Sequence, residues 1–171
     1  MENLLRLLER VEIAVELGES YYREFKSGYE GAPGNKKPRD FKDICHNVAK
    51  ELVAFANADG GELFIGIEDN GDVTGLPHTN EKLDAILSAP ENYVLKDTPL
   101  PIKRKNIIQY HDKKIIYFSV DKGSRQAEES VSSEKIGTVC RQPQITYVLL
   151  GKKSHQGNTT ANLKTWPQSL T

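Results

Sequence analysis

The chain has 171 residues, with 23 basic and 24 acidic side chains and a formal net charge of −1. That length suits one domain with a packed core, and the charge balance excludes a nucleic-acid binder driven by overall positive charge. Cys45 and Cys140 have no CxxC spacing and the histidines no ligand spacing, which argues against a disulfide framework or a zinc site and for buried thiols. The acidic Met-Glu-Asn start is unlike a secretory leader, and no apolar run approaches about 18 residues, so the expectation is a cytoplasmic protein without membrane contact.

In chain order, Leu4, Leu7, Leu8, Val11 and Val15 recur at helical spacing among charged residues and predict a first amphipathic helix that stops at Gly18. Tyr21 to Lys26 has the aromatic content of a short strand, and Gly28 through Pro38 reads as a loop. Asp40 is placed to cap a second helix with Phe41, Ile44, Val48, Leu52 and Phe55 on one face. Asn57-Ala-Asp-Gly-Gly61 ends that helix, and Leu63-Phe-Ile-Gly-Ile67 follows as a strand buried on both faces. Asn70-Gly71 is a turn signal that predicts a returning strand over Val73 to Leu76.

A third helix is expected from Thr79 or Asn80 through Leu87, closed by Pro90. Lys103 to Gln109 and Lys114 to Val120 predict an antiparallel hairpin around His111-Asp112-Lys113. Thr138 to Arg141 and Ile145 to Leu150 suit further strands, and residues 151–171 are polar enough to predict a disordered tail. The fold class is α/β (α+β): a mixed, mainly antiparallel sheet packed against two or three helices, in one domain over residues 1–150.

Three segments together resemble the Schlafen AlbA-type domain family: Glu19-Ser-Tyr-Tyr-Arg-Glu-Phe-Lys26, the stretch Ala54-Phe-Ala-Asn-Ala-Asp-Gly-Gly-Glu-Leu-Phe-Ile-Gly-Ile-Glu-Asp69, and Asn70-Gly-Asp-Val-Thr-Gly75. Their order and spacing agree with the family pattern, most clearly over residues 17–121. Ser124-Arg125-Gln126-Ala127 departs from it, since the family has a proline there. The resemblance implies a nucleic-acid-binding domain. Some Schlafen proteins cut structured RNA such as tRNA with an E-x4-E pair and a later Asp. Carried over, these are Glu19, Glu24 and Asp69, with Asp59 and Glu68 as competitors for the third place. The alternative is a non-catalytic DNA- or nucleotide-binding module of a transcriptional regulator.

Carboxylate oxygens are hard ligands suited to Mg²⁺ or Mn²⁺, so the resemblance makes Glu19, Glu24 and Asp69 the expected metal ligands. Lys26 lies two residues from Glu24 and shares its strand face, where a cation can meet phosphate; it joins the expected catalytic group. Glu19 is five residues from Glu24, an odd spacing that sends the two to opposite faces unless the chain bends near Gly18 or Ser20. Two basic clusters are candidates for phosphate contact: Lys36, Lys37, Arg39 and Lys42, and Lys103, Arg104 and Lys105. Tyr21, Tyr22 and Tyr29 are candidates for stacking on bases. The expected partner is nucleic acid, RNA before DNA, and a homo-oligomer is compatible with the sequence.

Overall fold

The computed structural model describes residues 2–94, 96–124, 139–142 and 145–148. Helix α1 (Glu2–Leu17) leads into strand β1 (Arg23–Lys26) and a small ribbon of β2 (Tyr29–Glu30) and β3 (Lys37–Pro38). Helix α2 (Phe41–Asn57), strand β4 (Gly61–Ile65) and helices α3 (Asn80–Leu87) and α4 (Ala89–Tyr93) follow. The hairpin of β5 (Ile102–Tyr110) and β6 (Lys113–Val120) completes the main sheet, and β7 (Val139–Gln142) and β8 (Ile145–Val148) form a separate antiparallel ribbon. The order in the main sheet is β1-β4-β6-β5, with β1 parallel to β4 and the other pairings antiparallel. This is the expected mixed, mainly antiparallel sheet.

Side-chain alternation along the strands divides the core into two layers. Leu63 and Ile65 of β4, with Ile116, Phe118 and Val120 of β6, pack against Ile44, Val48, Leu52 and Phe55 of α2 and against Leu83 and Ile86 of α3. Phe25, Phe64, Ile108, Ile115 and Tyr117 face the other way and receive Val11 and Ala14 of α1. The continuous apolar run of β4 is therefore covered on both faces, as its sequence requires. Cys45 is buried in the α2 layer, where burial pushes its thiol up to about 11, so it behaves as an unreactive core residue.

The local signals explain where the elements stop. Gly18 takes φ 71° and donates to the Ala14 carbonyl, closing α1. The Asp40 carboxylate accepts from the Lys42 N–H at 2.8 Å and caps α2. At the other end of α2, a Cβ on Gly61 would stand 2.3 Å from the Phe55 ring, so the Gly-Gly turn serves close packing as well as chain reversal.

Three expectations change. The Gly28–Pro38 loop contains the β2–β3 ribbon. Residues 73–76 form only a single bridge, Ile67 to Val73, because Gly66 at φ 101° turns its carbonyl to accept from both Thr74 and Gly75. Pro90 lies in the first turn of α4, which Ala89 begins, instead of merely ending α3; a first helical turn needs no N–H from it. The 151–171 tail lies outside the described residues. Among the described residues no helix is long and apolar enough to cross a membrane.

Candidate nucleic-acid and catalytic edge

Strand β1 is an edge strand, and its outer side is partly covered by the chain that precedes it. Ser20 and Arg23 exchange backbone hydrogen bonds of 2.9 and 3.2 Å, so residues 20–23 form a tight turn. This turn brings Glu19 back along β1, where its carboxylate accepts from the Phe25 N–H at 2.9 Å. The odd spacing between Glu19 and Glu24 is thereby resolved by a reversal of the chain.

The Glu19 carboxyl lies within electrostatic reach of Glu24, Asp69 and Lys26. Desolvation against the strand edge pushes it above its ordinary value, and the like charges of Glu24 and Asp69 add to the rise. The Phe25 N–H and the Lys26 ammonium oppose that rise. Lys26 and Glu24 alternate onto the α2 face of β1, and Lys26 Nζ donates to Glu24 Oε1. The same ammonium stands 3.9 Å from Glu51 Oε1 on α2.

Glu51 was not singled out in the sequence. Its signal was available: it falls three residues after Val48 and four before Phe55, a carboxylate bordering the apolar stripe of α2. The competitors for the third acid separate clearly. Asp59 pairs with Lys122 at 2.9 Å, before the start of β4, while Asp69 follows its far end. Glu68 is tied down by Ser27 at 2.6 Å, Thr74 at 2.8 Å and Lys36 at 2.8 Å. Burial alone would raise the Glu68 carboxyl, but these three donors hold it below its ordinary value. Glu68 therefore braces the loop that carries Asp69.

The donor chemistry of Glu19, Glu24 and Asp69 suits a hard divalent cation. Among the described residues no three Asp, Glu, His or Cys side chains are grouped closely enough to hold a metal. One Glu19 oxygen is engaged by the Phe25 N–H, and one Glu24 oxygen by Lys26.

The first basic cluster is tied to this edge. Lys36 bonds Glu68, Lys37 pairs with Glu30 across the ribbon at 3.2 Å, and Arg39 Nη1 reaches the Ser27 carbonyl at 3.5 Å. Lys42 is exposed on the first turn of α2. The second cluster is not brought there: Lys103, Arg104 and Lys105 lie on β5, the opposite edge of the sheet, about 14 Å away by strand spacing. Lys103 pairs with Asp121 and Lys105 with Glu91. Tyr21 and Tyr22 are exposed in the 20–23 turn with rings 4.8 Å apart edge to face, and Tyr29 is half-buried.

A second ion cluster was missed altogether. Glu62, only 5% exposed, lies on the α1 face of β4. It accepts from Arg10 Nε and Arg23 Nε, each at 2.8 Å, and Tyr117 Oη lies 3.4 Å away. A charged residue inside an otherwise apolar strand was the available signal.

The family model described as Schlafen, AlbA_2 matches residues 19–146. Among solved structures, the DIP2311 protein from Corynebacterium diphtheriae is similar at 16% identity and a TM-score of 0.54, over 87% of this chain and 27% of that one. The present chain thus spans a minor part of that protein, and the likeness is one of fold alone. The N-terminal domain of a RecG-related protein from Nitrosomonas europaea gives 18% identity and a TM-score of 0.49, over 90% of this chain and 94% of that one. No curated protein matches. The family match extends past the divergent Ser124–Ala127 segment and takes in the edge strand, its acids and the Gly-Gly turn. The chain belongs to the Schlafen AlbA_2 family.

Proposed function

We propose that this chain is a nucleic-acid-binding domain whose acidic edge acts as a Mg²⁺- or Mn²⁺-dependent endoribonuclease on structured RNA such as tRNA. Family membership supports nucleic-acid binding in general. The observation that supports the finer reading is that Glu19 turns back along β1, to the Phe25 N–H, and lies within electrostatic reach of Glu24, Asp69 and Lys26. In this reading Lys26 meets the phosphate, and Glu19, whose proton affinity is raised, moves a proton at the reacting oxygen. The ribbon bearing Lys36, Lys37 and Arg39 flanks the same edge and supplies backbone contacts.

The test is incubation of the purified protein with tRNA and either metal, beside Glu24→Ala. Cleavage by the first and not the second supports the reading. Intact tRNA in every reaction removes its catalytic half.

The engagement of Glu24 by Lys26 favours a second reading, a non-catalytic DNA- or nucleotide-binding module. Such a module needs the basic side chains and not the acids. Salt-sensitive binding to DNA or RNA that survives both Glu24→Ala and Asp69→Ala would select it.

A further inference from the structure

Large aromatic rings are mostly drawn into a core, yet the two in the turn that leads into β1 stand in solvent: Tyr21 is 38% and Tyr22 54% exposed. The backbone beneath them is fixed. The Tyr22 N–H donates to Ser20 Oγ at 3.3 Å, and the Tyr22 carbonyl accepts from the Glu62 N–H at 2.8 Å. Arg23, which closes the turn, is held by the Glu62 carboxylate and donates to the Gly18 carbonyl at 3.2 Å. The two rings meet edge to face, with their planes at 85°, so each limits the other's rotation and their contact covers at most one flat face of the pair.

The place of this turn on the edge of the sheet gives the rings a neighbourhood. Lys122, 65% exposed, lies within electrostatic reach of Tyr21. The basic ribbon follows the other end of β1, where Ser27 and Lys36 both meet Glu68. Glu24 and Lys26 lie between the two ends. At about 3.3 Å per residue, Tyr22 and Lys26 are roughly 13 Å apart along the strand. A polyanion lying along β1 therefore meets cations at both ends and a fixed aromatic face at one.

We infer that Tyr22, steadied by Tyr21, is a stacking platform for an unpaired base, so that the β1 edge takes single-stranded or looped nucleic acid in preference to a closed duplex. The inference rests on the nucleic-acid reading of this edge. Inside a duplex each base is covered on both faces by its neighbours, whereas an unpaired base can offer a face to a ring. Every base has such a face, so the preference is for the unpaired state and not for a sequence. A base held at Tyr22 keeps the adjoining backbone beside Lys26, which makes Tyr22 a positioning residue for the proposed cleavage.

The experiment is a fluorescence-anisotropy titration of the full chain, without divalent metal, against a labelled single-stranded RNA oligonucleotide and against the same oligonucleotide annealed to its complement. The unaltered protein is expected to bind the single strand more tightly. Tyr22→Ala is expected to weaken single-strand binding about tenfold and to leave duplex binding within about twofold. Tyr22→Phe keeps the flat face and is expected to bind like the unaltered protein. Tyr22→Leu keeps apolar bulk without a π-face and is expected to bind as poorly as Tyr22→Ala. The slope of affinity against salt should be the same throughout, because the phosphate contacts are untouched.

Circular dichroism establishes that each variant is folded, and the contrast between Tyr22→Phe and Tyr22→Leu decides the matter if Tyr22→Ala is not. Single-strand binding that is unchanged in Tyr22→Ala, an equal loss on the duplex, or Tyr22→Leu binding like the unaltered protein overturns the inference. Binding of neither oligonucleotide by the unaltered protein removes the proposed function and this inference with it. Binding of both that is indifferent to Tyr22 removes the inference alone.

Discussion

Arg23 and Glu24 are neighbours on β1 that point to opposite faces, and each enters an ion cluster of a different kind. On the α1 face one carboxylate, Glu62, is shared by two guanidinium groups and lies 5% exposed. On the α2 face one ammonium, Lys26, is shared between Glu24 and Glu51, with Glu19 and Asp69 close by at the strand edge. In the first cluster both oxygens of a buried acid are satisfied, and α1 is fixed to the sheet through Arg10. In the second, the ammonium stands between two partly covered carboxylates, and Glu19 lies within electrostatic reach of Glu24. A satisfied buried cluster belongs to the fold, and the other is the cluster on which the proposed function draws.

The widest separation between the two faces is expected in stability. Glu62→Ala leaves Arg23, 13% exposed, beside an apolar layer without its carboxylate, and should destabilise the protein by about 3 kcal/mol in urea unfolding. A loss under about 1 kcal/mol would mean that water replaces the carboxylate and that this cluster is not structural.

Next in size is Glu68→Ala, which strips the partners from the Ser27 and Thr74 hydroxyls and releases Lys36; about 2 kcal/mol is expected. The folded Glu68 carboxyl is held below its ordinary value, so its stabilisation is present above the unfolded carboxylate value and is lost as pH falls through the folded one. The gap in melting temperature between Glu68→Ala and the unaltered protein should therefore narrow in acid. A constant gap from pH 7 to pH 3 would show that packing, and not the charge, is what Glu68 contributes.

Glu24→Ala should move stability by less than about 1 kcal/mol, because the pair it breaks is partly solvated and Lys26 retains Glu51. Any tRNA cleavage should nevertheless fall by about 100-fold or more. Equal losses of stability from Glu24→Ala and Glu62→Ala would erase the distinction between the two faces.

The legibility of these features follows their range in sequence. The helices, the Gly-Gly turn, the buried β4 and the β5–β6 hairpin are written in local periodicity and turn chemistry, and they stand close to where the pattern put them. The β2–β3 ribbon is only two residues per strand, too short for an alternation to register. The single bridge at Val73 reads as a strand in the sequence because the pattern does not reveal that Gly66 adopts a positive φ. In the site, Glu19, Glu24 and Asp69 come from a family motif, and the turn that carries Glu19 back along β1 is held by two backbone hydrogen bonds and by the Tyr22 N–H donating to Ser20 Oγ, a reversal that period-two strand spacing does not show. Glu51 and Glu62 stayed hidden because their partners are distant in sequence. Each broke an apolar pattern, but which cation answered it depended on how α1 and α2 pack.

The smallest expected effect is the most discriminating. Glu19 is held above its ordinary value, so whatever its protonated form contributes to stability is present below the unfolded carboxylate value, about 4.3, and is lost as pH rises through the folded value. At neutral pH the ionised carboxylate is opposed by desolvation and by Glu24 and Asp69. Glu19→Gln removes that opposition while its carbonyl still accepts from the Phe25 N–H. The variant should therefore melt slightly higher at pH 7, by about 1 °C, and the advantage should vanish near pH 3. A gain in stability accompanied by loss of tRNA cleavage is the behaviour of a group kept ionised for chemistry at some expense to the fold. If Glu19→Gln instead melts lower at pH 7, its carboxylate is a brace for the edge of β1, and Glu19 belongs with Glu62 and not with Glu24.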